Sequence, residues 1–232
     1  MFIAPNRRLT RRVSFNLVWL LLLLAATAPA ALADEIAVWN FNDSDLIVDH
    51  GNGTLATNLN AANVLFATGT TNNARFGDVA GQALSLQGGS STANNGRNIT
   101  FNAGTVGFTN IVVSFATQGT STGFNSNQFQ YSLDGNTFVN FGAPFTPATS
   151  FGSVPLSFSL AGIVGLDDNP NAAFRIVFNG ATSSTGTNRL DNFAVEGTPG
   201  GIPEPASAVL LLSGLSGLYG VRKRRRAAKS QP

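Results

Sequence analysis

The sequence predicts an all-β fold, a two-sheet β-sandwich of jelly-roll type, plus an N-terminal signal peptide and one short C-terminal transmembrane helix. Three observations carry this. The middle of the chain is rich in Gly, Asn, Ser, Thr and Phe and nearly lacks Lys, Glu and Met; Thr, Val and Phe suit a pleated surface, and Gly and Asn suit tight turns. Short alternating runs recur between turn clusters, and no window there longer than about ten residues keeps a helical period. Both ends of the chain break from this composition.

Met1 to Ala33 has the three-part build of a secretory signal peptide. Arg7, Arg8, Arg11 and Arg12 form the basic region, and Phe15 to Ala26 the apolar region around the run Leu20 to Leu24. Ala31-Leu32-Ala33 supplies the small-x-small pattern that signal peptidase requires, which places the mature start near Asp34. The alternative, an uncleaved N-terminal anchor, is short for a membrane span.

Strands are expected near Glu35–Phe41, Gln82–Leu86, Asn98–Phe101, Ile111–Thr117, Gln128–Leu133, Thr137–Phe141, Pro155–Leu160, Phe174–Phe178 and Leu190–Val195. The clearest pair is Gln128–Leu133 and Asn136–Phe141 about Asp134-Gly135, a dipeptide that favours a type I′ hairpin turn. Phe138 and Phe141 are an odd step apart, which predicts a bulge or an early strand end. Gly51 to Asp78 is the weakest stretch for strands and reads as a long surface excursion. Eight or nine short strands with loops of varied length suit a sandwich over residues 34–196. Residues 197–202, with Gly197-Thr198-Pro199-Gly200-Gly201, read as a flexible linker.

Residues 203–232 hold Pro203-Glu204-Pro205, an apolar run from Ala206 to Val221, and the cluster Arg222, Lys223, Arg224, Arg225 and Arg226. As a helix the run rises about 24 Å against a hydrocarbon core of roughly 30 Å. Local thinning and outward-reaching arginines accommodate the shortfall. The basic cluster holds that end in the cytoplasm, so the domain lies outside. A buried core helix is the bland alternative, and the abutting basic cluster argues against it.

Taken together, the tripeptide, the Leu-rich segment with Gly214, Gly217 and Gly220, and the terminal arginines resemble the PEP-CTERM sorting signal. The resemblance covers about thirty residues, in the family's order and at the chain's end. It implies recognition by an exosortase, a membrane-embedded cysteine-protease-like transpeptidase, with cleavage near the tripeptide, in a Gram-negative host that makes exopolysaccharide. It casts Pro203, Glu204 and Pro205 as the recognition element, Leu210 to Leu218 as the membrane hold, and Arg222 to Arg226 as the stop-transfer cluster. More loosely, the middle domain resembles galactose-binding-like and other carbohydrate-binding jelly rolls, through Trp39-Asn40-Phe41, the Tyr131–Phe138 hairpin and Arg189–Val195.

Charge must be partitioned before it informs. The whole chain is +2, yet four of its fourteen basic residues lie in the signal peptide and six after Val221. Between Asp34 and Gly201 stand only Arg75, Arg97, Arg175 and Arg189 against eleven carboxylates, which gives 4 − 11 = −7. Such a domain repels phosphate backbones, and nucleic acid is excluded as a partner. The absence of cysteine removes disulfides, thiolate metal sites and thiol catalysis.

Catalytic parts are few. The one histidine, His50, lies in the turn-like Val48–Gly53, and no G-x-S-x-G or H-E-x-x-H motif occurs. Glycoside hydrolysis needs two facing carboxylates; Glu35 and Glu196 are the segment's only glutamates, both near strand ends, and most aspartates sit where turns form. Ser132–Phe138 resembles the Asp-box hairpin of sialidase propellers, one residue short in its spacing, and reads better as an ordinary Asp-Gly turn. By the resemblance to carbohydrate-binding sandwiches, a structural calcium would sit by the first and last strands, with Asp43 and Asp191 as ligands; the bland alternative is turn capping at Asp43 and an Arg189-linked or backbone-bonded Asp191. Asp167-Asp168-Asn169-Pro170 is a second oxygen-rich stretch that suits a turn. For sugar binding, Trp39 alternates like a core residue, and Phe124, Phe145 and Phe151 are the candidate exposed aromatics.

The expected function is that of a non-enzymatic surface or matrix protein, exported, sorted by an exosortase and associated with exopolysaccharide or biofilm. The alternatives are a carbohydrate-binding module with a defined glycan ligand, and, third, a glycosidase or lyase.

Overall fold

The structure, a computed structural model, describes residues 33–200. The predicted signal peptide up to Leu32 (with Ala31), the motif Pro203-Glu204-Pro205, the apolar run and the cluster Arg222–Arg226 lie outside the described residues; Ala33 is exposed, just before the first strand. Among the described residues no helix is long and apolar enough to cross a membrane.

Twelve strands run in order: β1 (Asp34–Trp39), β2 (His50–Gly51), β3 (Thr54–Thr57), β4 (Val64–Thr68), β5 (Gln82–Gln87), β6 (Arg97–Asn102), β7 (Phe108–Gly119), β8 (Gln128–Ser132), β9 (Phe138–Asn140), β10 (Leu156–Ser159), β11 (Ala173–Phe178) and β12 (Thr187–Pro199). Three short 3-10 turns complete the described secondary structure. Every pairing is antiparallel. One sheet has five strands in the order β3-β6-β11-β8-β9. The other has seven, in the order β10-β7-β12-β1-β2, with β5 also on β12 and β4 on β5. The long β12 makes this possible: Thr187–Leu190 pair with β5, and Phe193–Gly197 pair with β1.

Nine of these strands coincide with the expected ones. The excursion expected over Gly51 to Asp78 is a correction, because β3 and β4 both lie within it. Their runs, Thr-Leu-Ala-Thr and Val-Leu-Phe-Ala-Thr, are short, and each is specified by its partner strand instead of by its own pattern. The linker is a second correction. β12 continues through Gly197 to Pro199, and Thr198 and Pro199 pair with Thr109 and Phe108. Gly197 is there for packing: a Cβ would lie 2.8–3.1 Å from the side chains of Phe108, Ile111 and Ile36.

The core between the sheets is aromatic. Phe101 of β6 stacks on Phe193 of β12 with ring centroids 3.6 Å apart, and Trp39 meets Phe101 edge-on at 5.0 Å. Phe115 lies 5.6 Å from Phe193, and Phe129 stacks on Phe158 at 4.2 Å. Leu190 and Phe193 are an odd step apart, so a regular strand would turn one of them outward. The register shifts between Asp191 and Ala194, where Asn192 takes a φ of +50°, and both side chains enter the core. Asn is among the few residues that adopt this conformation readily.

Candidate functional site

The two outer faces of the sandwich differ in what covers them. On the five-stranded sheet, alternation sends Ile99, Phe101, Phe129, Phe174 and Ile176 inward and turns polar neighbours outward. The register then builds a row straight across all five strands: Ala56, Thr100, Arg175, Gln130 and Asn140. Beside it runs a second row, Thr54, Asn102, Ala173, Ser132 and Phe138. Adjacent strands lie about 4.8 Å apart, so each row is roughly 19 Å long. Along it Thr54, Ala56 and Asn140 are exposed, Asn102, Gln130, Arg175 and Phe138 are half-buried, and Thr100, Ala173 and Ser132 are buried.

Arg175 stands at its centre. Its Nε donates to Thr100 Oγ1 at 2.8 Å, and its guanidinium lies 3.4 Å from the centroid of the Phe138 ring. The two residues between them in the second row, Ala173 and Ser132, are small, which lets the long side chain reach from β11 to β9. Removal from solvent draws the Arg175 pKa down from the ordinary guanidinium value. Among the described residues neither terminal nitrogen of Arg175 makes a hydrogen bond or an ion pair. The amides around it are tied laterally: Gln130 Nε2 donates to Asn140 Oδ1 at 2.8 Å, and Asn102 Nδ2 donates to Thr54 Oγ1 at 3.1 Å. Neither row contains a carboxylate.

The seven-stranded sheet is covered by residues 69–80, which fold back over its outer face. Thr70 N donates to Asp191 Oδ2 at 2.7 Å, and Asn73 Nδ2 donates to the Asn192 carbonyl at 2.7 Å. Asn192 Nδ2 donates in turn to the carbonyls of Thr70 and Asn72 at 2.8 and 2.9 Å. Arg75 closes the segment: its Nε is 2.7 Å from Glu35 Oε1 and 2.9 Å from Glu196 Oε1, and its Nη2 also reaches Glu196. Glu35 and Glu196 are direct neighbours across β1 and β12. The segment's only two glutamates thus meet, and a shared guanidinium is what holds them together.

The expected site residues fall as follows. Asp43 is exposed in the loop after β1. Asp191 is wholly buried, with Oδ2 taken by Thr70 N and Oδ1 by Asn192 N at 2.9 Å. Burial pushes its carboxyl up to about 7, against the pull of those two donors. A calcium ion there would compete with those two backbone N–H groups, and Asp191 is backbone-bonded, the alternative to the ligand role. His50 is in β2, half-exposed, with Nε2 3.5 Å from Asp78 Oδ2 and its ring 4.2 Å from Phe76. Asp167 and Asp168 bond to the backbone N–H groups of Asn110 and Gly107, each carboxylate closing a loop.

All three aromatic expectations need correction. Phe124 is buried against Phe178, with centroids 5.5 Å apart, because its Gly123–Asn125 loop folds inward instead of out. Phe145 is half-buried, 5.8 Å from Phe115, and Phe151 is also half-buried. The type I′ turn is overturned as well. Only Gly135 has positive φ, and Ser132 pairs with Phe138, leaving a five-residue loop. Asp134 sets that loop by accepting from the N–H groups of Asn136 and Thr137 and from the hydroxyls of Thr137 and Ser132. These bonds hold its carboxyl far below the usual range.

Sequence reading passed over Arg175, Phe138, Gln130 and Thr100. One signal for them existed: Arg175 is the single charge within the otherwise apolar run Ala173–Phe178. No family model matches the chain, and no curated protein matches it. Among solved structures, domain 4 of AbnA, a GH43 extracellular arabinanase from Geobacillus stearothermophilus in complex with arabinotriose, is 15% identical. It is matched over 72% of this chain and 94% of that one, with a TM-score of 0.46. The CBM22-1 xylan-binding domain from Paenibacillus barcinonensis Xyn10C is 12% identical over 74% and 99%, with a TM-score of 0.44. The K3 cleaved adhesin domain of Lys-gingipain from Porphyromonas gingivalis is 11% identical over 71% and 99%, also at 0.44. Likeness at this level assigns no ligand to this chain.

Proposed function

We propose that the protein is an exported, non-catalytic glycan-binding module that lays a polysaccharide along the open face of the five-stranded sheet. The observation that carries this is the polar row Arg175, Gln130 and Asn140, anchored on buried Thr100, with half-buried Phe138 beside it. Sugar hydroxyls both donate and accept, and amides and hydroxyls are the side chains that answer in both senses. One aromatic ring, the half-buried Phe138 beside the guanidinium, adds an apolar element to the polar field. The test is affinity electrophoresis of the purified full-length protein through a panel of neutral and acidic polysaccharides, with Gln130→Ala alongside. Retardation by at least one polysaccharide, weakened about 3- to 10-fold in Gln130→Ala, is the expected outcome. Migration unaffected by every member of the panel would sink the reading.

A sorting role for the C-terminus is proposed on a separate observation, the order Pro203-Glu204-Pro205, apolar run, Arg222–Arg226 at the end of the chain. In this reading an exosortase removes the anchor and the module passes to the surface or to exopolysaccharide. Intact mass of the protein recovered from its own host decides it. A chain ending near Glu204 supports sorting, and a chain retaining Ala206 to Pro232 overturns it.

A further inference from the structure

The face carries an unanswered charge. Arg175 is flanked in its row by Thr100 and Gln130, and in the next by Asn102, Ala173 and Ser132, none of them acidic. Asp134 alone borders the face, where its Oδ1 accepts from Ser132 Oγ at 2.9 Å and from its own loop; Asp34, Glu35, Glu196 and Asp191 are on the other sheet, and Asp43, Asp45, Asp49, Asp78, Asp167 and Asp168 are in other loops. A neutral sugar would need only the amides and hydroxyls already present. A guanidinium with Cζ 3.4 Å from the Phe138 centroid, Nε engaged and, among the described residues, no partner on either terminal nitrogen is a planar fork of donors positioned before any ligand arrives. That geometry matches a carboxylate in bidentate contact, and the loss of side-chain freedom has already been taken in folding.

We propose that Arg175 reads a carboxylate, and that the glycan taken by this face is a heteropolysaccharide bearing isolated uronic acids on an otherwise neutral chain. This rests on the glycan-binding reading above and adds the substrate class. Charge density decides between isolated and continuous uronates. The segment from Asp34 to Gly201 carries −7, which repels a polymer with a carboxylate on every residue as it repels nucleic acid. The rows offer one cation, so one acidic sugar is matched and its neighbours must be neutral.

The test pairs each of several uronate-bearing heteropolysaccharides, gellan and xanthan among them, with its carboxyl-reduced form, in which the carboxylate is a primary alcohol on the same backbone. Alginate serves as the dense polyanion and dextran as the neutral control. Purified full-length wild type, Arg175→Gln and Arg175→Lys are measured against all of them, with thermal melts to establish that each variant is folded. The expected result is binding of at least one native acidic polymer, weakened about 10- to 100-fold by carboxyl reduction and equally by Arg175→Gln. Arg175→Lys, which keeps the charge but loses the fork, should fall between. Alginate should bind more weakly than that polymer. Equal affinity for native and reduced forms, or binding of neutral chains alone, would overturn the carboxylate assignment and leave the glycan reading standing. Stronger binding of alginate would overturn the isolated-uronate part. If no polymer in the set retards the wild type, both readings fall together. An independent check is the Arg175 Nε–H resonance, which should move on addition of methyl glucuronoside but not of methyl glucoside.

Discussion

On the outer face of the seven-stranded sheet Arg75 is closed between Glu35 and Glu196, and Asp191 between two backbone donors. On the outer face of the five-stranded sheet Arg175 has one hydrogen bond, from Nε to Thr100, and lies against the Phe138 ring, and among the described residues its terminal nitrogens have no partner. Both faces use an arginine, hydroxyls and amides; the seven-stranded one adds three carboxylates, Glu35, Glu196 and Asp191, and residues 69–80 lie over it. Where a loop lies over the sheet, polar side chains complete the fold, and removing one leaves a buried partner unanswered. On the five-stranded face Gln130 and Asn140 reach solvent, and their removal should alter what the surface binds more than whether it folds.

The sharpest way to break this contrast is Arg75→Ala. It leaves Glu35 and Glu196 directly opposite each other across β1 and β12 beneath the loop. Like charges in that position repel, and the expected loss is about 2–3 kcal/mol in urea unfolding, moderated by the side chains' partial contact with water. A loss below about 0.5 kcal/mol would mean that Arg75 decorates the face instead of closing it.

A pH effect of comparable size comes from Asp191. Its carboxyl is raised to about 7 in the fold, above its unfolded value near 3.9, so the native state holds the proton more tightly. The stabilisation is fully present below about pH 4 and is lost as pH rises towards 7. Tm should therefore fall between pH 5 and pH 8, and Asp191→Asn should flatten that slope. An unchanged slope in the variant would assign the dependence to another group.

Smallest for stability is Gln130→Ala on the open face, expected within about 0.5 kcal/mol of wild type even as glycan binding weakens. If it instead destabilised the fold as much as Arg75→Ala, the two faces would not differ in the way described.

The architecture was largely legible because sheet-forming residues and turn residues alternate visibly along this chain. Glu35–Trp39, Ile111–Phe115 and Phe174–Phe178 each declare a strand by their own alternation or apolar run. β3 and β4 were missed because four- and five-residue segments, Thr-Leu-Ala-Thr and Val-Leu-Phe-Ala-Thr, are too short to show a period and are set by their partners β6 and β5. Phe124 and Asp134 were misread for a related reason: a loop's polarity does not tell which way it folds, nor whether a carboxylate caps its own turn.

By itself the sequence determined the all-β class, the aromatic core, the acidity of the middle segment and the exclusion of thiol chemistry, since all of these follow from composition and local period. Only the tertiary structure decided which polar residues face a partner and which face solvent. Register is a long-range property: it alone places Arg175 beside Thr100, sets it over Phe138, and brings Glu35 to Glu196 under Arg75.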